Sequence, residues 1–221
     1  MPLSYWRLVS DRSPVVLPVA MIAAGIIAAL VLGSPSPQSY DLAVSSAFID
    51  HRSPAVTTFA AAVTFLGSGW ALTPLTLLTG SVLVLRRRHA AALLVVASML
   101  TSWLVTSTLK NAVGRPRPDP ADLLGRVSVS DAFPSGHTLN SAVFLGVVAA
   151  TLVVSLTSRL ARVITVLGAV LLGVAIGLSR VYLGYHWLSD VLGGWSVAMA
   201  LLGAAWLCWL TRRSRHDPSV A

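Results

Sequence analysis

Six long stretches without a charged residue constrain this chain more than anything else in it: 15–33, 53–85, 90–109, 138–157, 163–179 and 191–211. In lipid every backbone N–H and C=O must be satisfied within the segment, and an apolar helix of about 20 residues does this across the hydrocarbon core. Runs of this kind leave little of the 221 residues for a water-soluble unit. The expected fold is therefore all-α, a polytopic membrane protein of six transmembrane helices. Composition agrees, with 55% hydrophobic and 11% charged residues. No repeat, low-complexity tract or linker divides the chain, so residues 1–221 are expected to form a single domain.

The first run follows Arg7 and Arg12, as a secretory signal would. It is longer than a usual signal core, however, and Pro35 and Pro37 occupy the place of a cleavage site. It is expected to remain as an anchor, with Tyr5 and Trp6 at headgroup depth. The second run is too long for one upright helix. Gly67-Ser68-Gly69 should break it into a shallow or partly inserted helix and a following span. A short amphipathic helix is expected near 42–49, in the connection after the first span.

The formal charge of +8 invites a nucleic-acid reading, but its placement argues against one. Arg86, Arg87 and Arg88, Arg159 and Arg162, and Arg212, Arg213 and Arg215 fall on one side of the alternating spans, with Arg7 and Arg12. The positive-inside rule makes that side cytoplasmic, termini included. Cys208 is the sole cysteine, so no internal disulfide forms. Against the trend, Arg52, Lys110, Arg115, Arg117, Arg126 and Arg180 fall on the outer side.

Three stretches at the outer span ends explain those cations. The first is KNAVGRPRP at 110–118, holding the only lysine of the chain and the planar fork of Arg117. Alone it also fits cations snorkelling to headgroups. The second is PSGH at 134–137, where an apolar helix begins. Its free N–H groups favour an anion, Ser135 adds a hydroxyl, the Gly136 backbone permits close approach, and His137 can give a proton to a leaving oxygen. Alone it also fits a helix cap with an interfacial histidine. The third is SRVYLGYHWLSD at 179–190. His186 and Asp190 are four apart, so on a helix they share a face, and a carboxylate on one imidazole nitrogen leaves the other free to attack. Arg180 offers another fork. Alone the pair also fits an interfacial ion pair. Together the three supply charge neutralisation, a nucleophile and an acid, the set phosphoryl transfer needs.

K-x6-R-P at 110–118, P-S-G-H at 134–137 and S-R-x5-H-x3-D at 179–190 look like the three signature motifs of the type 2 phosphatidic acid phosphatase family. That family includes undecaprenyl pyrophosphate phosphatases and, more distantly, vanadium haloperoxidases. The resemblance covers about 55–211 and implies a six-helix core and a metal-independent lipid phosphatase without a cofactor. It implies that His186 attacks phosphorus to form a phosphohistidine while Asp190 orients it. His137 protonates the leaving oxygen and then activates water. Lys110, Arg117, Ser135, the Gly136 amide and Arg180 bind the phosphate. These roles need His137 protonated while His186 is neutral; Asp190 alone raises the pKa of His186, so the anionic substrate and the cations must separate the two.

A zinc or di-metal hydrolase is the rival enzyme reading. The outer carboxylates are Asp41, Asp50, Asp119, Asp122, Asp131 and Asp190, there is no glutamate, and His137 and His186 lack a ligand cluster. A lipid carrier, flippase or scaffold explains the cations but leaves the two histidines and Asp190 without a purpose. About fifteen residues between Pro118 and Pro134 are too few for a large lid, which predicts an exposed site entered sideways from the outer leaflet. Such a site in a compact, arginine- and alanine-rich chain points to undecaprenyl diphosphate recycling. The chain is then expected in the bacterial cytoplasmic (inner) membrane, facing the periplasmic or extracellular side. Phosphatidylglycerophosphate or phosphatidic acid is the alternative substrate, and a lipid phosphotransferase the alternative reaction. The expected partners are a lipid phosphate and membrane lipids, not nucleic acid.

Overall fold

The computed structural model describes residues 14–216, which leaves the Tyr5, Trp6, Arg7 and Arg12 anchor outside the described residues. Eight α-helices follow one another: α1 (Val16–Leu32), α2 (Asp41–Asp50), α3 (Pro54–Leu66), α4 (Gly69–Leu85), α5 (His89–Val113), α6 (Gly136–Val153), α7 (Arg159–Tyr182) and α8 (Leu188–His216). A single 3-10 turn, Pro120–Asp122, interrupts the connection from α5 to α6. The described residues contain no strand, in line with the all-α expectation from the long apolar runs.

Serines set where the helices start. Ser53, Ser68, Ser135 and Ser158 each accept a hydrogen bond from a backbone N–H three residues on, in front of α3, α4, α6 and α7. Ser68 and Gly67 thus produce the expected break, and α3 meets α4 at a bend of 44°. The short helix expected near 42–49 is α2.

Four helices are long and apolar enough to cross a membrane, or five if the bent α3–α4 pair is one span. The expected count of six differs because α1 has 17 residues. At about 1.5 Å per residue it rises less than the roughly 30 Å of hydrocarbon it would have to cross. The chain is nonetheless a multi-pass membrane protein, with α7 presenting Ile164, Leu167 and Leu171 on an exposed apolar face.

α6 is the central helix. Its Leu139, Val143, Phe144 and Val147 interlock with Val95 and Met99 of α5, Leu72 of α4 and Val197 and Ala198 of α8. At the end opposite the site, Arg88 donates to Ser155 Oγ at 2.7 Å, joining the α4–α5 turn to the end of α6. α1 packs along α8 through small residues. A Cβ on Gly25 would lie 2.8 Å from Ala200 N and closer still to Ser196 O. Gly25→Val is therefore expected to destabilise by about 1–3 kcal/mol through overpacking. An earlier thermal midpoint in detergent reads this, and an unchanged midpoint rejects the α1–α8 contact.

Candidate active site

α5 ends because Gly114 adopts a left-handed conformation (φ 62°) and its N–H returns to the Lys110 carbonyl at 2.9 Å. Lys110 therefore occupies the last helical turn, and the chain leaves directly into Arg115-Pro116-Arg117-Pro118. The connection is then fixed across the end of the bundle. Leu124 N donates to Leu183 O at 2.9 Å, and Ala132 N to Arg115 O at 2.8 Å.

Ser135 caps α6, its Oγ accepting from Thr138 N at 3.5 Å and Thr138 Oγ1 at 2.9 Å, so its own proton remains available to another acceptor. Gly136 opens the helix beside Lys110. A Cβ there would lie 4.0 Å from Lys110 Cε and 3.2 Å from Thr106 Cγ2. His137 follows in the first turn, its backbone carbonyl 3.4 Å from where a Cβ on Gly67 would stand. α8 reaches this turn closely, since Ser135 N donates to Asp190 O at 3.0 Å and Gly194 packs on Thr138.

After α7 a turn through Gly184 (φ 79°) returns the N–H groups of Tyr185 and His186 to the Arg180 carbonyl at 3.0 and 3.3 Å. His186 is 2% exposed. Its Nδ1 lies 3.3 Å from Asp190 Oδ2, and its Nε2 lies 3.3 Å from Arg117 Nη1. A guanidinium only donates, so Nε2 carries the lone pair and Nδ1 the proton that Asp190 accepts. Burial pushes the His186 pKa well below the ordinary histidine value, and Arg117, Arg180 and Lys110 push the same way. The imidazole is therefore neutral, with its basic nitrogen toward Arg117.

Arg117 also donates to Tyr185 O at 2.7 Å and Ser130 O at 2.7 Å. Lys110 Nζ donates to the carbonyls of Asp131 and Ala132. Arg180 is 5% exposed, stacks 3.7 Å over the Tyr185 ring and gives Nη1 to Thr64 Oγ1 at 3.0 Å. Its Nε is buried and has no hydrogen-bond partner. A buried N–H without an acceptor is costly.

All eight residues expected at the site thus gather at one end of α5, α6, α7 and α8. The expectation of an exposed site needs correction. The α5–α6 connection is short, but its carbonyls at 130–132 lie on Lys110 and Arg117, and His186 is buried beneath. Length alone did not register that a short strap pinned at both ends covers what it crosses. Sequence reasoning also left out Arg115, whose Nη1 lies 2.7 Å from Asp190 Oδ1, both side chains being fully buried. It counted Asp41 only as a carboxylate, although Asp41 is buried against Ser189. The signal available was the charge of Arg115 between Gly114 and Pro116, a pair that ends a helix rather than continues it. Among the described residues, no three His, Cys, Asp or Glu side chains gather as a metal group.

Comparison with known proteins agrees with this geometry. A family model described as the PAP2 superfamily matches residues 91–214. The chain is 34% identical over 186 residues to phosphatidylglycerophosphatase B of Bacillus subtilis (strain 168), covering 83% of this chain and 90% of that one. It is 28% identical over 137 residues to an undecaprenyl-diphosphatase of Sulfolobus acidocaldarius, covering 60% of this chain and 59% of the relative. Its fold matches the crystal structure of the first transmembrane PAP2 type phosphatidylglycerolphosphate phosphatase from Bacillus subtilis with a TM-score of 0.75. The two are 31% identical, over 86% of this chain and 94% of that one.

Proposed function

The chain belongs to the PAP2 superfamily and is a membrane phosphatase, and from that premise we propose that it removes the terminal phosphate of a membrane lipid through a phosphohistidine on His186. One observation carries the reading: His186 holds Nδ1 toward Asp190 and Nε2 toward the cations, beside the start of α6. In the first step the Nε2 lone pair forms a bond to phosphorus and the bond from phosphorus to the leaving oxygen breaks. Protonated His137 gives that oxygen its proton. Lys110, Arg117, Arg180, Ser135 and the Gly136 amide take the charge of the other phosphoryl oxygens. In the second step His137 removes a proton from water, the new P–O bond forms, and the N–P bond breaks to release phosphate. The carbonyls at 130–132 yield Lys110 and Arg117 to the incoming oxygens, which compete for the same donors.

Two lipids have support. An outward-facing site of this kind fits a polyprenyl diphosphate, undecaprenyl diphosphate above all, and one relative carries that activity in its name. The more similar relative is a phosphatidylglycerophosphatase, which gives phosphatidylglycerophosphate equal standing. We place the site on the outer side of a bacterial cytoplasmic membrane, with both termini inside and α1 completing six spans in one domain, because the arginine-rich turns lie at the opposite end.

The test is phosphate release by protein purified in detergent, with EDTA present, from undecaprenyl diphosphate, phosphatidylglycerophosphate and phosphatidic acid. Release is expected from at least one of them, and the fastest names the substrate. Release that EDTA abolishes would sink the histidine route in favour of a metal one. No release from any of the three by folded protein would leave a phosphotransferase or a carrier.

A further inference from the structure

Arg115 and Asp41 belong to none of the roles assigned above, yet both are fully buried at the back of the candidate nucleophile. Arg115 uses its fork almost completely. Nη1 donates to Asp190 Oδ1 at 2.7 Å and to Ser189 Oγ at 2.8 Å, Nε donates to Ser34 O at 2.8 Å, and Nη2 donates to Leu32 O. Its guanidinium also lies 4.7 Å over the Phe133 ring. Asp41, in the first turn of α2, accepts from Ser189 N at 2.8 Å and from Ser189 Oγ at 2.6 Å. Gln38 N adds a third bond at 2.7 Å. Asp41 therefore caps the N-terminus of α8 from another helix, where a negative charge is favoured.

We propose that Arg115 is a positioning residue that sets which oxygen Asp190 presents to His186, and that Asp41 fixes Arg115 in turn through Ser189. This rests on the phosphohistidine reading. A carboxylate held only by His186 and one backbone N–H is free to turn about its Cβ–Cγ bond. With Oδ1 taken by Arg115, Oδ2 is left for the Trp187 N–H at 3.0 Å and His186 Nδ1 at 3.3 Å. Asp41, Arg115 and Asp190 alternate in charge, joined by the Ser189 hydroxyl on one side and a direct ion pair on the other. Residues 32–41, which precede the region matched by the family model, thereby reach the catalytic carboxylate.

The test measures kcat and KM for dioctanoyl phosphatidic acid with Arg115→Lys, Asp190→Asn, their combination, Ser189→Ala and His186→Ala. Lysine keeps the charge but lacks the planar fork with which arginine reaches four acceptors in different directions. Arg115→Lys is expected to lower kcat about 10- to 30-fold with KM changed less than about twofold, because a small error in aim costs the chemical step and not binding. On top of Asp190→Asn the same change is expected to cost less than about threefold, since Arg115 acts through that carboxylate. Ser189→Ala, which removes the hydroxyl between Asp41 and Arg115 with little change of volume and keeps the backbone bond to Asp41, is expected to lower kcat about threefold. If Arg115→Lys does not fold, Ser189→Ala decides alone, and an unchanged kcat there overturns the proposal. Unchanged kcat, an effect confined to KM, or full additivity with Asp190→Asn also overturns it. An active His186→Ala instead overturns the phosphohistidine reading beneath it, so the two failures are separate.

Discussion

His186→Ala is expected to lower phosphate release by at least about a thousandfold, since removing a covalent nucleophile leaves only binding and charge stabilisation behind. The variant should stay folded. The imidazole's side-chain hydrogen bonds run to Asp190 and Arg117, and Arg117 keeps its bonds to the carbonyls of Tyr185 and Ser130. Binding of lipid should survive, because Lys110, Arg180 and the start of α6 are untouched. A companion result concerns pH. Burial, with Arg117, Arg180 and Lys110 behind it, keeps the His186 pKa well below the ordinary value of 6.5. Protonation destroys the nucleophile, and a depressed pKa delays protonation as pH falls. The acid limb of kcat/KM should therefore lie below pH 6.5, the free enzyme remaining competent as pH drops through that value. Residual release by His186→Ala near the wild-type rate would show that another group attacks phosphorus. An acid limb at or above pH 6.5 would mean that His186 is not held neutral.

What the sequence made legible was whatever depends on local pattern. The apolar runs located the helices, the serines and glycines at 67, 68 and 135 located their starts, and the alternation of spans put Lys110, His137, Arg180 and His186 at one end. The contact of His186 with Asp190 was expected on a shared helix face, but α8 begins only at Leu188, and the turn before it brings the two together. The contacts that were not legible join residues far apart in the chain. Arg115 reaches residue 190, Asp41 reaches residue 189, and Arg180 reaches Thr64. No period or spacing encodes such pairs, because they depend on how helices already formed come together. The covering of the site by the carbonyls at 130–132 escaped for a related reason. Backbone groups carry no sequence signal, and a carbonyl of Asp131 binds Lys110 as well as that of any other residue would. α1 is two residues shorter than the apolar run at 15–33, because Val15 and Gly33 stay outside the helix.

Arg180→Lys is expected to reduce kcat/KM by about 100-fold, the usual consequence of losing one preorganised donor to a developing phosphoryl charge. The charge is retained in this variant, so the loss isolates geometry. Arg180 is braced on two sides, by Thr64 Oγ1 on Nη1 at 3.0 Å and by the Tyr185 ring at 3.7 Å, and the brace leaves Nε buried without an acceptor. An unsatisfied buried N–H costs about 1–3 kcal/mol in the resting enzyme. A phosphoryl oxygen relieves that cost when it arrives, so the interaction is strongest where the oxygen carries most charge. Lysine has no second donor at that position, and its flexible stem does not reproduce the planar stack. Vanadate adopts the five-coordinate geometry of phosphoryl transfer, and its inhibition constant should rise in step with the loss of kcat/KM. A wild-type kcat/KM in folded Arg180→Lys would reject Arg180 as a geometric phosphate ligand. An equal loss with no change in vanadate inhibition would assign Arg180 to the packing of α7 on α3, which Thr64 and Tyr185 frame.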